Sequence, residues 1–495
     1  MCGTKIARKD GGFAVTATGR RDGEGRKMAG KRFSIGIRRE DKNEFERRTP
    51  LIPEHVARLT TEHGIDVVVQ PSPIRAFPDE DYAQAGARVQ EDLTGCDAVF
   101  AVKEIPESMF VPGKTYIYFS HTIKGQKGNM PMLRTLMQRG CQLIDYEKIT
   151  DHVDRRLIFF GRHAGLVGMI NTFWALGLKL AAQGIETPFL DIRQCRHYRD
   201  LPEAMEIMDY VGRRIEAEGL PDKIGPLVVG FAGYGNVSRG AQEVFDVLPF
   251  EKVAPENIDR IGQFSKALAI LHSDNPNNRL YKVVFKEADM VRPRDSKYVF
   301  ALQDYYDHPD RYCSRFNEYL PHLTVLVNAI YWESRYPRLV TNEYLRKAHA
   351  EGTLSLQAIG DISCDPLGAV ECNTHSTDSG EPIYTVHPES GAEQVGAEGE
   401  GPVILATDNL PCELPRESST DFSKVLVRFV PAIAEMSVAG TLEESGLPAE
   451  IQRAAVVWRG ELTSRFSYLK EHVEGTVEES KPPTACGCDE EGECA

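Results

Sequence analysis

The chain has 495 residues, with 58 Lys and Arg against 73 Asp and Glu, and a formal net charge of −15. That length predicts two or three domains with substantial cores, and the acidic balance argues against nucleic acid as a main partner, because phosphate binding needs concentrated Lys and Arg. No stretch approaches ~20 uninterrupted apolar residues and no charged segment followed by an apolar one opens the chain, so neither a membrane span nor a secretory signal is expected.

Residues 1–33 are rich in Gly, Lys and Arg and read as a disordered basic leader. Asp10, Asp22 and Glu24 argue against a transit peptide, and Met28 is a candidate start. Strands and helices then alternate. RFSIGIRRE reads as a strand, TPLIPEHVARLTTEHG as a helix with Pro53 in its first turn and Gly64 at its end, and IDVVVQP as a strand stopping at Pro71. CDAVFAVKE and KTYIYFSHT are strands that end at Lys103 and His121, followed by the helix GNMPMLRTLMQRG and the strand CQLIDYEKI. This alternation predicts a parallel sheet covered on both faces, with functional groups at the carboxyl ends of its strands.

AGLVGMINTFWALGLKLAAQG reads as a long apolar helix packed between two domains, and PLVVGFAGYGNVSRGAQEVFDVL opens the second domain. The pattern loosens near 259–320, which reads as an insertion. HLTVLVNAIYW and LSLQAIGDISCD return to strand character, and DSGEPIYTVHPESGAEQVGAEGEGP is a surface excursion. Residues 476–495 read as a disordered acidic tail. Its Cys486, Cys488 and Cys494 could hold a soft metal, but the composition favours disorder, and no metal site is expected. Eleven cysteines, an odd number without dense spacing, point to free thiols in a reducing cytoplasm.

Four groups of residues carry chemistry. In the glycine turn, Gly233 permits the tight bend, Gly235 lets backbone approach a pyrophosphate, and the helix start at Asn236 and Val237 supplies N–H groups and partial positive charge. Ser238 stands where a third glycine is usual and is small enough for close packing. The acid that would read a ribose is ambiguous between Glu251 and Glu256 near FEKVAPENI, so NAD and NADP both remain open. IRREDKNEFERRTPL brings Arg38, Arg39, Glu46, Arg47 and Arg48 together, mostly as a solvated charged loop, with one arginine free to clamp a carboxylate. Lys103 and His121 at neighbouring strand ends suggest proton transfer in a cleft. DISCDPLG adds Asp361 and Asp365 at the end of a strand in the second domain.

The blocks IRREDKNEFERRTPLIPEHV, VKEIP, YFSHTIKGQ, LIDYEKITD, FGRHAGLVGMIN, GPLVVGFAGYGNVSRGAQEVFD, LVNAIYWES, GDISCD and DNLPCELPRESSTDFS resemble the lysine–2-oxoglutarate reductase and saccharopine dehydrogenase family, within the alanine dehydrogenase and transhydrogenase fold group. The resemblance runs from about residue 34 to about 470. It implies an α/β fold with two Rossmann-like domains, parallel sheets and an interdomain cleft. The substrate domain would be discontinuous (34–160 plus 401–475) around a dinucleotide domain (161–400). The saccharopine-cleaving domain that some relatives carry is not among these blocks, which predicts a single-function enzyme.

The implied reaction interconverts L-lysine plus 2-oxoglutarate and saccharopine by hydride transfer at a C=N bond, with NADP(H) or NAD(H) as cofactor. Carried over residue by residue, Lys103 and His121 match an acid–base pair and Asp365 an aspartate near the nicotinamide. Arg48 matches a carboxylate-binding arginine and Glu147 an acid near the lysine end of the substrate. Asn409 and Leu410 match the lining of the nicotinamide pocket. The implied partners are small molecules, with no nucleic acid, no membrane and a possible homo-oligomer. The alternatives are an amino-acid dehydrogenase of the alanine dehydrogenase type and a non-catalytic NAD(P)-binding regulator. Imine chemistry suits the residues: a lysine of ordinary pKa ~10.4 becomes a base once buried or set beside a cation, and a histidine changes charge near neutral pH.

Overall fold

A computed structural model describes residues 33–475, apart from 273, 274 and 276. The expectations for the leader through residue 32 and for the tail with Cys486, Cys488 and Cys494 lie outside the described residues.

The first lobe opens with β1 (Ser34–Ile37), α1 (Pro53–Glu62), β2 (Asp66–Val69), α2 (Asp79–Gln84), β3 (Arg88–Val89), β4 (Ala98–Phe100), β5 (Thr115–Tyr118), α3 (Met130–Gln138) and β6 (Gln142–Asp145). β1, β4, β5 and β6 are buried at every position, as apolar strands must be when helices cover both faces of a parallel sheet. Pro53 begins α1, which buries His55, Val56 and Leu59, and Gly64 follows its end at φ +64°.

α4 (Gly161–Ala182) and α5 (Leu201–Glu218) lead into β7 (Val228–Ala232), α6 (Asn236–Phe245), β8 (Phe250–Lys252) and β9 (Leu280–Phe285). A small antiparallel ribbon, β10 (Val291–Pro293) with β11 (Tyr312–Ser314), precedes β12 (Val325–Asn328), β13 (Ala358–Asp361), β14 (Ile383–Val386), β15 (Glu393–Val395) and β16 (Val403–Leu405). The helix Pro415–Leu426 then returns to the first lobe, with Phe422 and Leu426 in its core, and β17 (Ala455–Trp458) and β18 (Glu461–Leu462) complete the first sheet.

The two sheets have the orders β18-β17-β6-β5-β4-β1-β2-β3 and β15-β14-β16-β13-β12-β7-β9-β8. Pairing is parallel except at β17, β18, β14 and β15. The fold is therefore α/β with two Rossmann-like sheets.

Three expectations change. The stretch 259–320 is not simply an insertion, because it contains β9, which is hydrogen-bonded to both β7 and β8. The polar run before LYKVVF hid that strand. α4 does not lie between the lobes: its residues belong to the core of the second sheet, against α6, β13 and β16. By length and hydropathy alone α4 would cross a membrane, but 78% of its most apolar window is buried inside the protein. Finally, the charged loop after β1 is only partly solvated: Asp41, Lys42, Glu44 and Arg47 are exposed and Arg39 is half-buried. Arg38, Glu40, Glu46 and Arg48 are each buried.

Candidate active site

Residues beyond the carboxyl ends of strands in the two sheets meet one another, Arg48 with Asn409 and Lys124 with Tyr331. Lys103 lies three residues beyond β4 and His121 three beyond β5, and these strands are parallel neighbours. Lys103 is buried, and its Nζ makes no hydrogen bond or ion pair with a described residue. Burial lowers its pKa, and the nearby Arg48 lowers it further against the pull of Glu46 and Asp408. His121 is half exposed and sits at φ +49°, a left-handed conformation unusual for a side chain of its size. Its Nδ1 lies 2.5 Å from Glu104 Oε1, and Asn129 donates to its carbonyl at 3.0 Å. Burial would raise the pKa of Glu104, but the hydrogen bond and charge of His121 outweigh it and hold it at about 2.

Behind this pair stands a buried polar brace. Arg48 donates from Nε and Nη2 to the two carboxylate oxygens of Glu46, at 2.8 and 2.6 Å. Nη2 also donates to Asn409 Oδ1 at 2.7 Å, and Asn409 Nδ2 donates back to Glu46 Oε2 at 2.7 Å. Asn409 follows β16, so this triad ties the first lobe's loop to the end of the second sheet. The Arg48 guanidinium also lies 4.3 Å from the Phe160 ring centre, leaving Nη1 without a hydrogen-bond partner among the described residues. Glu40, also buried, accepts from the backbone N–H groups of Val102 and Lys103 at 2.6 and 3.0 Å, which fixes the turn carrying Lys103. Burial, then the charge of Glu46, raises its pKa to about 7.

From the second lobe, Asp365 lies past β13 and is half buried. Burial raises its pKa while Lys124, three residues past His121, opposes the shift. Lys124 Nζ sits 5.7 Å from the Tyr331 ring centre, a second link between the lobes. Asp361 is fully enclosed, accepts from Asn328 and Asn373 at 2.8 Å each, and is raised to about 6 by burial. It braces the strand ends rather than facing the cleft. Glu147 follows β6 and is ion-paired with Arg156. Leu410 is buried in the second core.

The glycine turn joins β7 to α6. Gly233 has φ +96°, and a Cβ there would lie 3.0 Å from the carbonyl of Ala329, so the position needs glycine twice over. Gly235 precedes α6; a Cβ there would meet nothing within 4 Å, and no side chain caps the helix. The first turn of α6, at Asn236 and Val237, thus begins without a side-chain cap. Ser238 is fully buried, and the close contact with α4 is made on either side of it, at Val237 and Gly240. A Cβ on Gly240 would lie 2.1 Å from Arg162 O on α4, and one on Gly165 of α4 would lie 1.9 Å from Val237 O.

Sequence reasoning missed Glu104 and Glu40, whose partners are apparent only once the strand ends are adjacent. The strand expected near FEKVAPENI is present as β8, but it does not adjoin β7. β8 lies at the sheet edge and its Glu251 pairs with Arg279; the neighbour of β7 is β9. Among the described residues, no group of three or more His, Cys, Asp or Glu side chains could hold a metal ion.

Residues 36–167 match the family model of the alanine dehydrogenase/PNT N-terminal domain. The chain is 36% identical over 456 residues to an α-aminoadipic semialdehyde synthase of Arabidopsis thaliana, covering 90% of this chain and 42% of that protein. It is 35% identical to the mitochondrial α-aminoadipic semialdehyde synthase of Bos taurus, covering 88% of this chain and 47% of that one. A saccharopine dehydrogenase (NAD(+), L-lysine-forming) of Yarrowia lipolytica is 25% identical over 77% of this chain and 88% of its own length. Over most of its length the chain is thus similar to α-aminoadipic semialdehyde synthases and to saccharopine dehydrogenases. It spans less than half the length of the semialdehyde synthases that it matches. A solved L-alanine dehydrogenase superposes with a TM-score of 0.53 at 16% identity, over 90% of this chain and all of the other, which is a likeness of fold.

Proposed function

We propose that this chain interconverts L-lysine plus 2-oxoglutarate and saccharopine, with a nicotinamide cofactor. The observation that carries the reading is the set of groups at the strand ends: a buried Lys103 and a His121–Glu104 pair on neighbouring strands, with a partly committed Arg48 bonded across to Asn409 of the lobe that carries the uncapped glycine turn. The residues fit a dinucleotide. The backbone at Gly235 is clear of side chains, and the first turn of α6 offers uncapped N–H groups for a pyrophosphate. When bound, the nicotinamide supplies or removes hydride at the C=N carbon.

The protein's own groups do the rest. Lys103, its ammonium form disfavoured by burial, takes and returns a proton at the nitrogen and oxygen that change during imine formation and hydrolysis. His121, oriented by Glu104 at Nδ1, serves as its partner. Arg48 offers Nη1 to a substrate carboxylate, and Glu147 attracts the ammonium of lysine. Asp365 and Asn409, with Leu410 behind them, border the nicotinamide side. In this reading residues 34–160 and the segment from Pro415 to 475 form the substrate domain; the dinucleotide domain runs from 161 past the expected boundary at 400, because β16 pairs in the second sheet and Leu410 and Leu414 lie in its core, and closure between the two would shield the imine from water.

The same reading takes small molecules as its partners, without nucleic acid or membrane, and a homo-oligomer as its assembly. Its compartment is the cytoplasm; all seven cysteines among the described residues are free, which supports a reducing environment. Fractionation would contradict that placement if the protein sedimented with mitochondria, as the names of the animal relatives would suggest. The deciding assay follows nicotinamide absorbance with lysine, 2-oxoglutarate and reduced cofactor, with saccharopine and oxidised cofactor in a second cell and alanine as control. Turnover with alanine alone would replace this reading with an alanine dehydrogenase.

A further inference from the structure

The carboxyl end of the strand beside the glycine strand is where a Rossmann fold reads the adenosine ribose. Here that strand is β9, in register with β7 from Val228↔Tyr281 to Ala232↔Phe285. The Gly233 N–H donates to Phe285 O at 3.0 Å, so the glycine turn is fastened to the end of β9. Two residues on stands Glu287. Its Oε1 accepts from Tyr306 OH at 2.8 Å and from Tyr234 OH at 3.5 Å, and Tyr234 is the residue between the two turn glycines. One carboxylate oxygen is thus engaged by both hydroxyls, one of them on the turn on which the pyrophosphate reading rests.

We propose that Glu287 is the ribose-reading acid and makes this chain selective for NAD(H) over NADP(H), an inference that rests on the dinucleotide reading above. A carboxylate here accepts from the 2′-hydroxyl of NAD(H), whereas the 2′-phosphate of NADP(H) would place like charge against it. Two cations flank the position. Lys286 is exposed on the preceding residue, but Arg335 is engaged by Glu333, Tyr336 and the carbonyl of Tyr306, so it is not free to form a phosphate clamp.

The test is direct binding of NADH and NADPH to the purified full chain, read by nicotinamide fluorescence without substrate, for the wild type, Glu287→Gln and Glu287→Ala. Wild type should bind NADH at least about tenfold more tightly than NADPH. Both variants should weaken NADH and tighten NADPH, bringing the two within a few-fold of each other. Equal or tighter binding of NADPH by wild type overturns the selectivity while leaving the dinucleotide site intact. An NADH preference that survives in both variants, with unchanged circular dichroism, removes Glu287 as its cause. Failure of both cofactors to bind overturns the site and the proposal together.

Discussion

Replacing Glu46 with glutamine would change few atoms yet leave a guanidinium buried without its counter-charge. The side chains of Glu46 and Arg48 are 0% and 2% exposed, and two of the three hydrogen bonds made by the guanidinium go to Glu46. Breaking one side of such a pair costs about 3–5 kcal/mol, because the survivor keeps its desolvation penalty without its partner's field. Glu46→Gln should therefore lose about 3 kcal/mol or more of unfolding free energy by equilibrium urea denaturation, and Glu46→Leu with Arg48→Met should recover most of it.

The pH dependence has a definite sign. Burial would raise the pKa of Glu46, but the charge and hydrogen bonds of Arg48 and the bond from Asn409 hold it below its ordinary 4.5. Its contribution is thus present above pH 4.5 and is lost as pH falls through the depressed folded value. The acid limb of wild-type stability should be steeper than that of the variant. A loss below about 1 kcal/mol, the range of a surface pair, would refute the buried-brace argument.

Lys103→Met and His121→Gln should each lower kcat by about a hundredfold while dinucleotide binding, read by fluorescence, survives; near-normal rates in both would remove the acid–base assignment. Glu104→Gln removes a carboxylate held near pKa 2 from His121 Nδ1. It should lower kcat by about tenfold and alter its pH profile with little change in KM, and an unchanged profile would mean that Glu104 does not position the ring. Arg48→Lys keeps a charge for Glu46 but loses the planar fork, so KM for 2-oxoglutarate should rise more than kcat falls. A fall in kcat alone would rule out a ground-state clamp. Gly240→Ala places a methyl 2.1 Å from Arg162 O, and should cost about 1–3 kcal/mol in the same urea assay unless α4 and α6 can separate.

What the sequence made legible follows from which interactions are local. β-branched runs such as IDVVVQP and the helix from Pro53 declare themselves within a few residues, and so does the turn from Gly233 to Ser238, because backbone preference and burial on both faces act over short windows. Lys103 and His121 were legible for the same reason: each follows an apolar strand, and parallel sheets expose strand ends. The burial of the loop after β1 was not legible. Arg38, Glu40, Glu46 and Arg48 look like a solvated charge run, and only the proximity of Asn409, 361 positions from Arg48, reveals a closed triad.

The case of β9 shows why strand order matters more than spacing. An acid about 20 residues past the turn is expected when the second strand of the sheet is also the second in sequence. Here a short strand and a helix intervene, β8 takes the sheet edge, and the strand that pairs with β7 begins at Leu280. Counting along the chain therefore reaches Glu251, which pairs with Arg279, while following hydrogen bonds from Gly233 to Phe285 reaches Glu287. A ligand touching the turn would meet whatever side chain ends the adjacent strand, whatever its distance in sequence. The register of β7 with β9 thus makes Glu287, rather than either acid near FEKVAPENI, the residue whose charge bears on the choice between NAD(H) and NADP(H).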